Sequence, residues 1–197
     1  MQLFQQIDSR IFVHRVDNRG RMSYVNTPWL DFAAENDWPV TAIEILGQPL
    51  MASVSDPQLR YLYGLLMARL RDGAGPFRFP YRCDAPDCRR YMQMEMLYSH
   101  DAREIEFRSQ IRRIERRTSQ DLLDARHPTD QRQLDICSSC KRVATRHGWM
   151  ELEDGVLSLR LLDCERVPRT RHCLCPGCAS AFDRLARGGG STQPQQP

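Results

Sequence analysis

The sequence has no apolar run of about 18 residues, so no membrane-spanning helix is expected. Its opening stretch, MQLFQQIDSR, lacks the apolar core of a secretory signal. It has almost no lysine: Lys141 is the only one, and every other member of its 28 Lys and Arg residues is arginine. A Gly-rich phosphate loop, a His-Glu-x-x-His helix and a Ser/His/Asp arrangement are all missing, so no catalysis is expected. A chain of 197 residues is too short for a large multidomain enzyme and leaves room for one domain plus a small appendage. These absences predict a cytoplasmic, non-enzymatic protein with no membrane contact. With 41% hydrophobic and 27% charged residues, the chain reads as globular rather than disordered. Eight cysteines without an export signal point to reduced thiols and metal binding rather than to a disulfide framework.

The first 115 residues carry alternating and helical apolar patterns in a definite order. Ile11 to Val16 and Met22 to Val25 read as strands across the turn Asp17-Asn18-Arg19-Gly20, a hairpin. Asn26-Thr27-Pro28 suits a helix start, with Trp29, Leu30, Phe32 and Ala33 at helical spacing. Ile43, Ile45 and Leu46 predict a short helical piece. Asp56-Pro57 opens the longest helix, whose stripe is Leu59, Leu62, Tyr63, Leu66, Met67 and Leu70, and Asp72 to Gly75 ends it. Three strands follow, marked by Phe77/Phe79/Tyr81/Cys83, by Met92/Met94/Met96/Tyr98 and by Ile105/Phe107/Ile111.

The Asp17–Gly20 turn, the run Tyr24 to Ala33, the Ile45-Leu46-Gly47 segment and the long helix before three strands resemble a PAS domain over roughly residues 5–115. The resemblance implies a five-stranded antiparallel sheet with helices on one face, serving as a sensor or dimerisation module. The reactive-cysteine motif of flavin-binding light sensors is absent, and the long helix has no histidine to offer a haem, so haem is not expected. A small apolar ligand or a packed core is expected instead, with the methionines as core filling. His14 and His100 read as surface or hydrogen-bonded residues. Cys83 and Cys88 read as flanking a hairpin turn, one buried and Cys88 semi-exposed. Residues 116–132 read as a connector that couples the two parts.

Two Cys-x-x-Cys pairs follow, Cys137/Cys140 and Cys175/Cys178. Each forms a tight knuckle with two thiolates aimed at one ion, and two knuckles make a closed four-sulfur site for structural Zn²⁺. A segment spanning 133–187 buries too little core to fold unaided, so a metal supplies the missing stability. An iron–sulfur cluster uses the same four thiolates and stays open. In the run His172-Cys173-Leu174-Cys175, Cys173 and Cys175 alternate on an extended chain, and the knuckle spacing selects Cys175. Cys164 and Cys173 are left as small buried residues. Trp149–Leu152 and Val156–Leu162 around Glu153-Asp154-Gly155 predict a hairpin, and Ala179–Ala186 a short helix. Residues 188–197 read as a disordered tail.

With Gly148-Trp149 between them, the pieces around the two pairs resemble a small cysteine-knuckle module found after PAS or receiver domains in bacterial signalling proteins. Ser139 and Cys173 stand where that pattern has Trp and Gly. The whole is thus expected to be α+β: a PAS-like sheet with helices plus a small zinc-ribbon-like module. The expected role is bacterial signalling, with a protein partner and a homodimer aided by Leu3, Phe4 and Ile7. The alternatives are a nucleic-acid-binding transcription regulator and an iron–sulfur or haem redox sensor. Nucleic acid is disfavoured by charge: residues 133–197 hold nine Lys/Arg against seven Asp/Glu, and Arg112, Arg113, Arg116 and Arg117 are interrupted by Glu115.

Overall fold

The computed structural model describes residues 8–162 and 164–188. Leu3, Phe4, Ile7 and the tail from residue 189 lie outside the described residues. Strands β1 (Ile11–Val16) and β2 (Met22–Val25) pair across the Asp17–Gly20 turn. Gly20 takes φ +74, a conformation that costs a side chain dearly, and Asp17 accepts the amides of Arg19 and Arg21. Helix α1 (Thr27–Glu35) starts at Asn26, whose side-chain oxygen takes the amides of both Trp29 and Val13, tying cap to strand. Helix α2 (Ala42–Ile45) is short and closed by a Thr41/Glu44 capping box. Helix α3 (Pro57–Arg71) is capped by Asp56, which accepts from Gln58 and Leu59 at 2.9 and 3.2 Å. It buries Leu62, Leu66, Met67 and Leu70, the predicted stripe.

Strands β3 (Phe77–Arg82), β4 (Cys88–Ser99) and β5 (Glu104–Arg116) complete a five-stranded antiparallel sheet in the order β2-β1-β5-β4-β3. Alternation sends Phe12, Val16, Phe77, Phe79, Met92, Met94, Met96, Ile105 and Phe107 to one buried face. This is the architecture the PAS resemblance implies. Three details differ from expectation. His14 sits on that inner face, not at the surface: its ring stacks on Phe107 with centroids 4.6 Å apart, and its Nε2 is sealed without a hydrogen-bond partner. Alternation with Phe12 and Val16 puts it there. Cys88 is buried, not semi-exposed, because β4 already begins at it. Cys164 and Cys173 are half-buried rather than buried.

The second sheet contains β6 (Thr129–Cys137), β7 (Val143–Thr145), β8 (Gly148–Met150) and β9 (Val167–Cys173) in the order β8-β7-β6-β9. The pair at one edge, β6 and β9, runs parallel, and the other pairs are antiparallel. Strand β6 starts at Thr129, inside the stretch read as a connector. The hairpin expected around Glu153-Asp154-Gly155 is instead helix α4 (Leu152–Ser158). Leu152 and Val156, four apart, bury on one side, as a helix requires. Gly155 packs so closely that an added Cβ would lie 2.0 Å from Val143 Cγ2. Helix α5 (Pro176–Gly188) is longer than the predicted piece and buries Phe182, Leu185 and Ala186.

The two sheets share a core. Phe182, Leu185, Ala186, Leu174, Cys137 and Cys175 join Leu66, Leu70, Phe77 and Phe79 in one buried cluster. Phe182 meets Phe79 edge-on at 5.0 Å. Arg69 of α3 donates to the Ala186 carbonyl of α5. A second, smaller core of Leu122, Leu134, Ile136, Val143, Leu152, Val156, Leu161 and Val167 belongs to the second sheet alone.

Candidate metal centre

The first knuckle grows out of the end of β6. Cys137 donates its amide to the Arg142 carbonyl at 2.7 Å and accepts from the Lys141 amide at 3.0 Å, folding the chain back on itself. The fold-back places Lys141 at φ 62, the left-handed region. Ser138 donates to the Cys173 carbonyl at 2.8 Å, so the parallel β6–β9 ladder runs straight into the knuckle. The second knuckle forms where Leu174 and Cys175 leave β9 and enter α5: Ala179 donates to the Cys175 carbonyl at 2.9 Å, and Cys178 lies in the first helical turn. Parallel pairing therefore explains how two pairs so far apart in sequence arrive at one place.

The Sγ atoms of Cys137, Cys140, Cys175 and Cys178 all lie within 4.8 Å of one another. Cys140 and Cys175 sulfurs are 3.7 Å apart. Four thiolates at about 2.3 Å from a tetrahedral zinc have sulfur–sulfur edges of about 3.8 Å. All eight cysteines are free thiols. Two amides already point at sulfur, Cys175 N to Cys137 Sγ at 3.3 Å and Cys178 N to Cys175 Sγ at 3.5 Å, as outer-shell donors to thiolates do. Cys173 stays outside the group.

The acid–base chemistry of this cluster also suits a cation. Hydrogen bonds from Cys140, from Cys178 and from two backbone amides hold the Cys137 thiol well below the ordinary thiol range. Cys137 in turn pushes Cys140 up to about 12, and Cys137 and Cys140 together raise Cys178 far more. Packed thiols thus ionise once easily and then resist. A bound cation would let Cys137, Cys140 and Cys178 be thiolates together.

The knuckle is bolted to the first sheet's helices. The Ser138 hydroxyl donates to Asp56 Oδ2 at 2.7 Å, while Asp56 Oδ1 caps α3. The Arg82 amide, at the end of β3, donates to the Ser139 carbonyl at 2.7 Å. Ion pairs surround this seam: Arg82 with Asp84 and Glu151, Arg89 with Glu153, and Arg117 with Asp84 and Glu153. Burial raises the Glu153 carboxyl, but hydrogen bonds from Arg89 and Arg117 outweigh it and bring it down to about 2. Sequence reasoning named the four cysteines and the Asp56 cap. It missed that one carboxylate serves both the helix and the knuckle, and no local pattern announces such a contact across 82 positions.

No protein-family model and no curated protein sequence matches this chain. Solved structures similar to part of it include three sensor modules. The photoactive yellow protein domain of the sensor histidine kinase Ppr from Rhodospirillum centenum is 14% identical with a TM-score of 0.40, over 51% of this chain and 84% of that one. A sensory box sensor histidine kinase from Vibrio cholerae is 10% identical with a TM-score of 0.33, over 57% and 85%. The PAS domain of BvgS from Bordetella pertussis is 19% identical with a TM-score of 0.30, over 51% and 71%. With TM-scores this low, the functional reading rests on the chain's own sheet and site. These define an α+β protein in which a five-stranded antiparallel sheet with helices shares its core with a smaller sheet bearing a four-cysteine cluster. Among the described residues no helix is long and apolar enough to cross a membrane.

Proposed function

We propose that this chain is a cytoplasmic bacterial signalling protein without catalytic activity, whose PAS-like part senses a ligand or engages a protein partner. One structural zinc, held by Cys137, Cys140, Cys175 and Cys178, fastens the smaller sheet to it. The observation that carries this reading is the docking of the first knuckle on the first sheet's domain, through Ser138 to Asp56 at the start of α3 and through Ser139 to Arg82 at the end of β3. The metal would hold in place the knuckle whose Ser138 bonds Asp56, the cap residue of the longest helix. Four cysteine ligands leave a zinc no open position, which supports a structural rather than a hydrolytic role. Homodimerisation through the PAS-like part belongs to the same proposal, with Leu3, Phe4 and Ile7 as its N-terminal contribution.

The nucleic-acid alternative is weakened by where the arginines go. Arg117 is buried against Asp84 and Glu153, Arg116 pairs with Asp87, and Arg113 pairs with Glu115 while lying over Tyr91. Cations already matched by carboxylates release few counterions from a phosphate backbone.

Metal analysis of the anaerobically purified chain tests the proposal. One zinc per chain and a colourless solution are expected, and Cys140→Ser should abolish retention of the ion. Stoichiometric iron with visible absorbance would replace it with the iron–sulfur reading, and a folded chain indifferent to chelators would remove the metal altogether.

A further inference from the structure

A cavity of about 280 Å³ lies beside the first knuckle, between the 3₁₀ turn Asp121–Leu123 and the β6–β9 pair. It uses none of the four clustered cysteines. Its floor is apolar: Leu122, Ile136 and Val167 are all buried members of the smaller core. Its volume is just below the usual range for drug-sized ligands, which suits a smaller molecule.

The polar groups lining it are unevenly matched. The two acids are satisfied: Asp84 is ion-paired with Arg82 and Arg117, and Asp124 with Arg126. The donors are not. Lys141 Nζ spends one of its three N–H bonds, on the Ser138 carbonyl at 3.1 Å. The side chains of His172 and Thr170, on β9, also line the cavity. Lys141 is the chain's only lysine, and it holds a left-handed conformation that favours glycine over a side-chain-bearing residue. A strained backbone thus presents a single ammonium to a half-apolar cavity with unspent donors.

We propose that this cavity binds a small organic carboxylate, with its oxygens on Lys141 Nζ, the His172 ring N–H and the Thr170 hydroxyl, and its short apolar body on Leu122, Ile136 and Val167. The ligand class is fixed by the unmatched donors, and the size by the cavity. Because Lys141 follows Cys140 directly, occupancy also stiffens the first knuckle and slows metal transfer to a competing chelator.

Calorimetric titration of the full chain with butanoate, 4-methylpentanoate and benzoate tests this. The neutral 4-methylpentan-1-ol and zwitterionic leucine serve as counterparts of the second acid. At least one acid should bind saturably with a Kd below about 1 mM, and the alcohol and leucine should bind more weakly than 4-methylpentanoate. Lys141→Gly, which removes the ammonium and relieves the backbone, should fold at least as stably and weaken binding by about tenfold or more. Thr170→Val provides a second variant that leaves the knuckle untouched and should also weaken binding. The proposal is overturned if no acid saturates by about 10 mM, if the alcohol or leucine binds as tightly as 4-methylpentanoate, or if both variants bind like the parent. Zinc content is read separately, so loss of the metal assignment and loss of this site are distinguishable.

Discussion

His14 is a titratable ring placed where a phenylalanine would be at ease. Burial pushes its pKa down to about 4. Above pH 6.5 the ring is neutral in both folded and unfolded chains and has no effect on the pH dependence. Between about 6.5 and 4 the unfolded chain takes up a proton that the folded chain refuses, so stability falls as pH falls, by up to about 3 kcal/mol. Urea denaturation of the parent and of His14→Phe across that window should show the two curves converging at neutral pH in slope and diverging toward acid, the parent losing more. Equal slopes would mean that the ring is solvated. The position was legible as strand, but it was read as surface or hydrogen-bonded although alternation with Phe12 and Val16 turns it inward. The usual preference of histidine for partly polar surroundings hid the rest. The clustering of Cys137, Cys140, Cys175 and Cys178 was legible for the opposite reason: Cys-x-x-Cys pairs are local, and their spacing is visible without knowing the fold.

At the scale of elements, hydrophobic period identified most of the chain and failed where two periods overlapped. Residues Trp149 to Leu162 hold enough apolar residues to satisfy either a strand or a helix, and the Glu-Asp-Gly triplet looked like a turn. The helix wins because Leu152 and Val156 fill the smaller core while Gly155 lets the helix lie against Val143. Gly155→Ala should therefore destabilise the chain, although alanine is the better helix former, since its methyl has no room beside the β-branched Val143. Helix α5 gives a second case. Its apolar side was readable, but its target was not: Phe182 packs on Phe79 across the seam between sheets. Phe182→Ala should cost about 3–5 kcal/mol. Equilibrium unfolding should show that loss in the first sheet as well as the second, whereas a loss confined to the second would contradict the shared core.

At the scale of the molecule, the seam decides how the chain unfolds. Sequence suggested a sensor, a connector and a separate zinc module. The structure runs one buried cluster through both sheets and places Asp56, Arg82 and Arg117 across the join. Trp29 reports on the first sheet and Trp149 on the second, and each alone (the other two tryptophans replaced by phenylalanine) should melt at the same temperature. Adding a zinc chelator should lower both together. Two separate transitions would restore the modular picture. The order in which the cluster assembles follows from the parallel β6–β9 pair. Its partners are brought together only after some thirty intervening residues have been threaded into β7, β8 and α4. An ion joining Cys140 to Cys175 would bind only once that long loop is closed, so its binding energy would be added to the folded chain after the strands have paired. Such a clasp acts most strongly on the rate of coming apart: the metal would set how long the molecule lives once folded, more than how quickly it gets there.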